Sequence, residues 1–283
     1  MTDSRESPDS TPWWLWPNVL NLDAPIVAVV WQHAFAGLLA VQLEPANHWL
    51  LALAVWEVYF ADRWLDAQRG AHKDTERHRF HGRVGAGGAA ASLLVGVAGM
   101  TLAARCLNGM GWAYASMLLA ATGAWFLVTH FRRERRRVLP KELSVGIIFA
   151  AGCLIQPLSL AQGNVNLVHV SVSAALFAWL CFLNCASITV WEALPADRDD
   201  PGSLLNGWSG APRSVPLLGF SLLAASALVI AFNLSPELGR FACALALSSA
   251  ALLALNHGAP GRSRRASRIL ADLALLTPLI FPA

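Results

Sequence analysis

Apolar stretches of about 20 residues, each long enough for a helix to cross the hydrocarbon core of a bilayer, recur along the whole chain. They lie near residues 24–43, 47–66, 85–104, 110–130, 143–162, 168–191, 214–233, 238–256 and 265–282. In hydrocarbon no water is available to the backbone, so only helices and closed barrels satisfy every N–H and C=O there. Uninterrupted runs of this length lack the alternating pattern of barrel strands. The expected fold is therefore all-α, a polytopic membrane bundle of about nine transmembrane helices.

Composition agrees with lipid as the solvent. The chain is 55% hydrophobic and 14% charged, where soluble domains carry roughly a quarter charged residues. Its formal net charge is only +3, and the basic residues sit in connections between apolar runs instead of forming a stripe, so nucleic acid is not an expected partner. Their distribution orients the bundle. Nineteen of the 21 Lys and Arg residues fall on one side of a nine-span arrangement, with only Arg105 and Arg240 opposite. Cytoplasmic connections retain such charges. The amino terminus and the connections 2/3, 4/5, 6/7 and 8/9 are therefore expected in the cytoplasm.

Residues 1–20 read as a polar and aromatic segment ending in Trp13, Trp14 and Trp16, suited to an interfacial anchor and unlike a cleaved secretory signal. Residues 21–283 read as a single transmembrane domain, because no linker or internal repeat divides them. The five cysteines occur without the paired spacing of a zinc site, as small apolar core residues do.

Two acidic clusters stand out. Tyr59-Phe60-Ala61-Asp62-Arg63-Trp64-Leu65-Asp66 closes the second span, and its i, i+4 spacing puts Asp62 and Asp66 on one helical face. Trp191-Glu192-Ala193-Leu194-Pro195-Ala196-Asp197-Arg198-Asp199-Asp200 follows the sixth span and emerges on the same membrane face. Carboxylates gathered in this way suit magnesium, which prefers oxygen ligands and keeps several waters. The alternative is an ordinary charged helix end paired with neighbouring arginines. Upstream, Asn184, Ser187 and Trp191 share one side of the sixth span; such a strip either leads substrate inward or bonds to another helix. The basic run Arg132 to Arg137, followed by Pro140-Lys141-Glu142, either touches anionic lipid or neutralises a departing diphosphate.

Taken together, these segments resemble the UbiA superfamily of intramembrane prenyltransferases. Leu22-Asp23-Ala24-Pro25-Ile26 looks like that family's start of helix 1. Ala61-Asp62-Arg63-x-x-Asp66 looks like the second half of its first acidic motif, and Asp197-Arg198-Asp199-Asp200 resembles its second. Pro140-Lys141-Glu142 with Gly146 is similar to the opening of its helix 5. The resemblance implies Mg2+ held by Asp62, Asp66, Asp197 and Asp200, a prenyl diphosphate bound between the clusters, and a lipophilic acceptor reached from membrane lipid. Tyr59, Arg63, Lys141, Asn184, Ser187, Trp191, Glu192 and Arg198 are the substrate-binding residues it implies.

The chain departs from that pattern at Val58-Tyr59, where the family's first motif opens with Asn-Asp. A terpene cyclase of the same fold and a non-catalytic lipid- or quinone-binding member are the alternatives this leaves open. Glu57 is a carboxylate inside a span and hence either a functional residue or a partner for a neighbouring helix. His78 and His81, at i, i+3 in the connection between spans 2 and 3, read as solvated or capping side chains in a basic segment, with proton or metal exchange as the sharper alternative.

Overall fold

The structure, a computed structural model, describes residues 12–68, 76–131, 140–162, 165–192, 210–232, 234–258 and 263–281. Among these residues every regular element is helical. A 3-10 turn at Trp13–Leu15 leads into α1 (Trp16–Val19), followed by α2 (Asp23–Leu38), α3 (Pro45–Gln68), α4 (Glu76–Cys106) and α5 (Gly109–Phe131). Then come α6 (Lys141–Leu160), α7 (Leu167–Glu192), α8 (Ala211–Phe232), α9 (Pro236–His257), α10 (Arg264–Leu273) and a last 3-10 turn at Thr277–Ile280.

Local sequence sets several of these boundaries. Ser235 caps α9 by accepting a hydrogen bond from the Leu238 N–H at 3.2 Å, with Pro236 in the first turn, where its missing N–H costs nothing. Ser263 caps α10 in the same way through Ala266. Between α1 and α2 the chain turns through Asn21 at φ 55°, a left-handed conformation that asparagine tolerates well. The N-terminal segment consequently meets α2 at an angle of 71°.

Among the described residues six helical segments are long and apolar enough to cross a membrane: Gly87–Cys106, Gly109–Thr129, Lys141–Leu160, Leu167–Trp191, Ala211–Phe232 and Pro236–His257. The bent pair Trp13–Val19 and Asp23–Leu38 adds a seventh if it counts as one crossing. Leu93, Leu94, Met117 and Leu119 on α4 and α5 are 70–72% exposed, a face that suits lipid and would be costly in water. The chain is thus an all-helical, multi-pass membrane protein. With the bent pair standing for the expected span 24–43, two expected spans, 47–66 and 265–282, still fall outside this set. With 24 residues α3 is long enough, but it carries Glu57, Asp62, Arg63 and Asp66 in its second half. The stretch 265–282 is not one continuous helix: α10 has ten residues, about 15 Å at 1.5 Å per residue, and a turn and the Thr277–Ile280 3-10 segment follow it. An apolar window over this stretch averages an arginine-rich first half with an apolar second half containing Pro278.

The core lies where α2, α7 and α9 meet. Trp31 is fully buried, stacks on Phe177 with centroids 4.3 Å apart, and meets Phe241 edge-on at 5.3 Å. Phe35 packs against the same two rings at 5.7 and 4.9 Å. Such offset and edge-on pairs add to simple burial of apolar area. The Trp31 indole N–H also donates to the Leu275 carbonyl at 2.8 Å, which holds the turn after α10 against α2. A close approach of α6 to α7 completes the frame. A Cβ on Gly146 would lie 2.8 Å from the Ala178 carbonyl oxygen and 2.9 Å from the Phe182 nitrogen, so only glycine permits this crossing.

Candidate functional site

Several helix ends converge on one polar region, and its centre is a pair of acids. Asp23 opens α2 and Asp272 lies near the end of α10. Their carboxyl groups lie within interaction range of each other, and two like charges so placed call for either one proton or one cation between them. Each acid has its own amide donor. Asn18 donates through Nδ2 to Asp23 Oδ2, across the turn at Asn21. Asn184 of α7 donates through Nδ2 to Asp272 Oδ1 at 3.1 Å. The Trp31 bond to Leu275 brings α10 close enough to α2 for this meeting.

The second half of α3 faces the same place. Tyr59 is within electrostatic reach of Asp23, Asp272, Cys185 and Arg63. Cys185 of α7 in turn senses Glu142, Asp272 and Arg63. Tyr59 and Arg63 are four residues apart, so the helical period sets them on one side of α3, and Asp62 lies close to that side. Glu142, in the first turn of α6, is buried and accepts a hydrogen bond from the Thr189 hydroxyl at 3.2 Å. The tight passage at Gly146, one turn further along α6, holds that contact in register.

The polar strip of α7 divides between two partners. Asn184 turns to Asp272, whereas Ser187 and Trp191 turn to α9. Asn256 donates through Nδ2 to Ser187 Oγ at 3.1 Å, and its Oδ1 accepts from the Trp191 indole N–H at 3.0 Å. Interhelical bonding therefore uses the second part of the strip, and Asn184 alone reaches the acid pair.

Among the residues expected at a functional site, Tyr59, Arg63, Asn184, Ser187 and Trp191 belong to this region. Lys141 opens α6 one residue before Glu142 and is engaged by neighbours. Asp62 is half-buried and likewise engaged. The side chains of Asp66 and Glu192 lie outside the described residues, as do Asp197, Arg198, Asp200 and the basic run 132–137. The His78 and His81 side chains lie outside them too. Glu57 points elsewhere: the Ser92 hydroxyl of α4 donates to its Oε1, the helix-partner alternative of the two weighed for it.

Among the described residues no group of three His, Cys, Asp or Glu side chains forms a metal nest. The four acids expected to hold magnesium offer only oxygen donors, a set chemically suited to that ion. Two acids escaped sequence reasoning as site residues. Asp23 drew notice only as part of the helix 1 resemblance, and Asp272 drew none. The available signal was a lone carboxylate inside the apolar stretch 265–282, the same criterion that marked Glu57. Comparison of the chain with protein-family models, curated proteins and solved structures returned no match.

Proposed function

We propose that this chain is a UbiA-like intramembrane prenyltransferase that moves an isoprenyl group from a prenyl diphosphate to a lipophilic acceptor. The bundle makes about nine passes, with α3 and the α10 region completing the count, and its amino terminus and acidic clusters face the cytoplasm. One observation carries the reading. Tyr59 and Arg63 on α3 lie within electrostatic reach of Cys185 on α7, the neighbour of Asn184, on the two helices that carry or precede the acidic motifs.

In this reading Asp62, Asp66, Asp197 and Asp200 hold Mg2+, which supplies charge neutralisation for the departing diphosphate. Arg63, Lys141 and Arg198 add positive charge at the same surface and orient the phosphate oxygens. Tyr59, Asn184, Ser187, Trp191 and Glu192 line the way from that surface to the helical interior. The aromatic face of Trp191 packs against a prenyl chain, and the apolar walls of α6 and α7 exclude water from a developing allylic cation.

The test is release of diphosphate from prenyl diphosphates by the purified protein in the presence and absence of Mg2+. Turnover should require the metal and fall by about 10²-fold or more in Asp62→Asn or Asp197→Asn, as loss of a charge-stabilising group does. A protein that binds Mg2+ with a diphosphate analogue but releases nothing would instead be a non-catalytic lipid or quinone binder, the reading that the Val58-Tyr59 departure favours.

A further inference from the structure

We propose that Asp23, Asp272 and the side-chain carbonyl of Asn184 form an oxygen-lined site for one hard divalent cation, magnesium or manganese, distinct from the set Asp62, Asp66, Asp197 and Asp200. The proposal does not rest on the prenyl-transfer reading, because none of its three ligands comes from either acidic motif.

Three observations converge on it. The first is the carboxyl pair itself: Asp23 and Asp272 lie within interaction range, although 249 positions separate them in the numbering. The second is the way amides flank the pair. Asn18 and Asn184 both point N–H donors at carboxylate oxygens, so each acid is oriented toward the other with an oxygen left over for a shared partner. The third is an orphan. Asn184 is only 8% exposed, and its Oδ1 is buried with no hydrogen-bond partner. That oxygen belongs to the same planar amide that donates to Asp272, so it lies beside the pair. A proton shared between the two acids would leave it unsatisfied, whereas a cation held by the pair would offer it a partner. Buried acceptors of this kind rarely go unpaired.

The surroundings and the donor set bear on the assignment. Among the described residues, Arg268, one turn before Asp272 on α10, lies within electrostatic reach of that acid, and Arg63 on α3 and Glu142 on α6 reach the neighbouring Cys185. The donors are oxygens, which favours a hard ion over zinc or copper. Two carboxylates and one carbonyl leave the remaining octahedral positions to water, as magnesium sites usually do.

The experiment uses the full chain in detergent micelles, without diphosphate, titrated with Mn2+ while free ion is followed by electron paramagnetic resonance. Saturable binding that persists in Asp62→Asn is expected, because the pair shares no ligand with the acidic motifs. Asp23→Asn and Asp272→Asn should each weaken it by roughly 10- to 100-fold, at least the loss seen when supporting residues around a metal are removed. Asn184→Asp adds a carboxylate and should tighten binding, a gain that misfolding cannot imitate. In an Asp62→Asn background, which removes an acid of the other set, Asp23→Asn and Asp272→Asn should weaken the remaining Mn2+ binding by a similar factor. Absence of saturable binding would overturn the proposal, as would binding lost in Asp62→Asn and retained in both pair variants, or an Asn184→Asp protein with no tighter site. The diphosphate-release assay reads the prenyl-transfer hypothesis separately, since either result can occur without the other.

Discussion

Asn184 and Asp272, 88 residues apart in the chain, meet through an amide-to-carboxylate hydrogen bond of 3.1 Å that ties α7 to α10. Replacing Asn184 by Leu keeps the approximate volume and removes the donor, so the half-buried carboxylate loses a partner. Thermal unfolding in detergent should show a loss of about 1–3 kcal/mol, the cost of leaving a buried polar group unsatisfied. An unchanged midpoint would mean that Asp272 finds another donor.

Gly146 and Gly152 sit on the same helix, yet their surroundings differ. A Cβ at Gly146 would press on backbone atoms of α7 at 2.8 and 2.9 Å, whereas one at Gly152 would meet side-chain methyls at 3.7 and 3.8 Å. Gly146→Ala should therefore destabilise by about 1–3 kcal/mol through overpacking, because backbone cannot move aside. Gly152→Ala should be neutral or stabilising by up to about 1 kcal/mol from helix propensity. Equal effects in a paired melting experiment would contradict the close α6–α7 crossing.

Glu57 accepts from Ser92 across the α3–α4 contact. If its role is to hold those helices together, Glu57→Gln should fold as well as the parent, since an amide oxygen also accepts. Ser92→Ala should cost about 1–3 kcal/mol by stranding the acid. A Glu57→Gln protein that melts normally but loses diphosphate release would move this residue into the chemistry instead.

Topology reporters give the simplest check on orientation. Fusions placed within 69–75, 132–139 and 193–209 should report the cytoplasm, and fusions within 161–166 the opposite side, as the distribution of basic residues requires. A reporter in 69–75 on the same side as one in 161–166 would break the assignment.

The helical bundle was legible because lipid imposes one rule on every span. Runs such as 110–130 and 168–191 match α5 and α7 within a few residues. The stretch 265–282 was less legible, since the capped turn at Ser263 and the break after Leu273 are local events that a hydropathy window averages away. At the site, the periodicity of α3 put Tyr59, Asp62 and Arg63 near one face, and the structure finds Tyr59 and Arg63 looking toward α7. The carboxyl pair could not be read in this way. Nothing local to Asp23 says that a helix ending 250 positions later returns to it; that meeting depends on the Trp31 bond to Leu275 and on how α2, α7 and α9 pack.

The Trp31–Leu275 tie spans 244 positions of the chain, and this separation governs when the protein can finish itself. During synthesis α2 enters the membrane long before its partner carbonyl exists, so Trp31 waits without its acceptor while most of the bundle is made. Contacts of such long range form late. The acid pair beside them is thus assembled only after Asp272 and Leu275 have been made, and products truncated before them never acquire it.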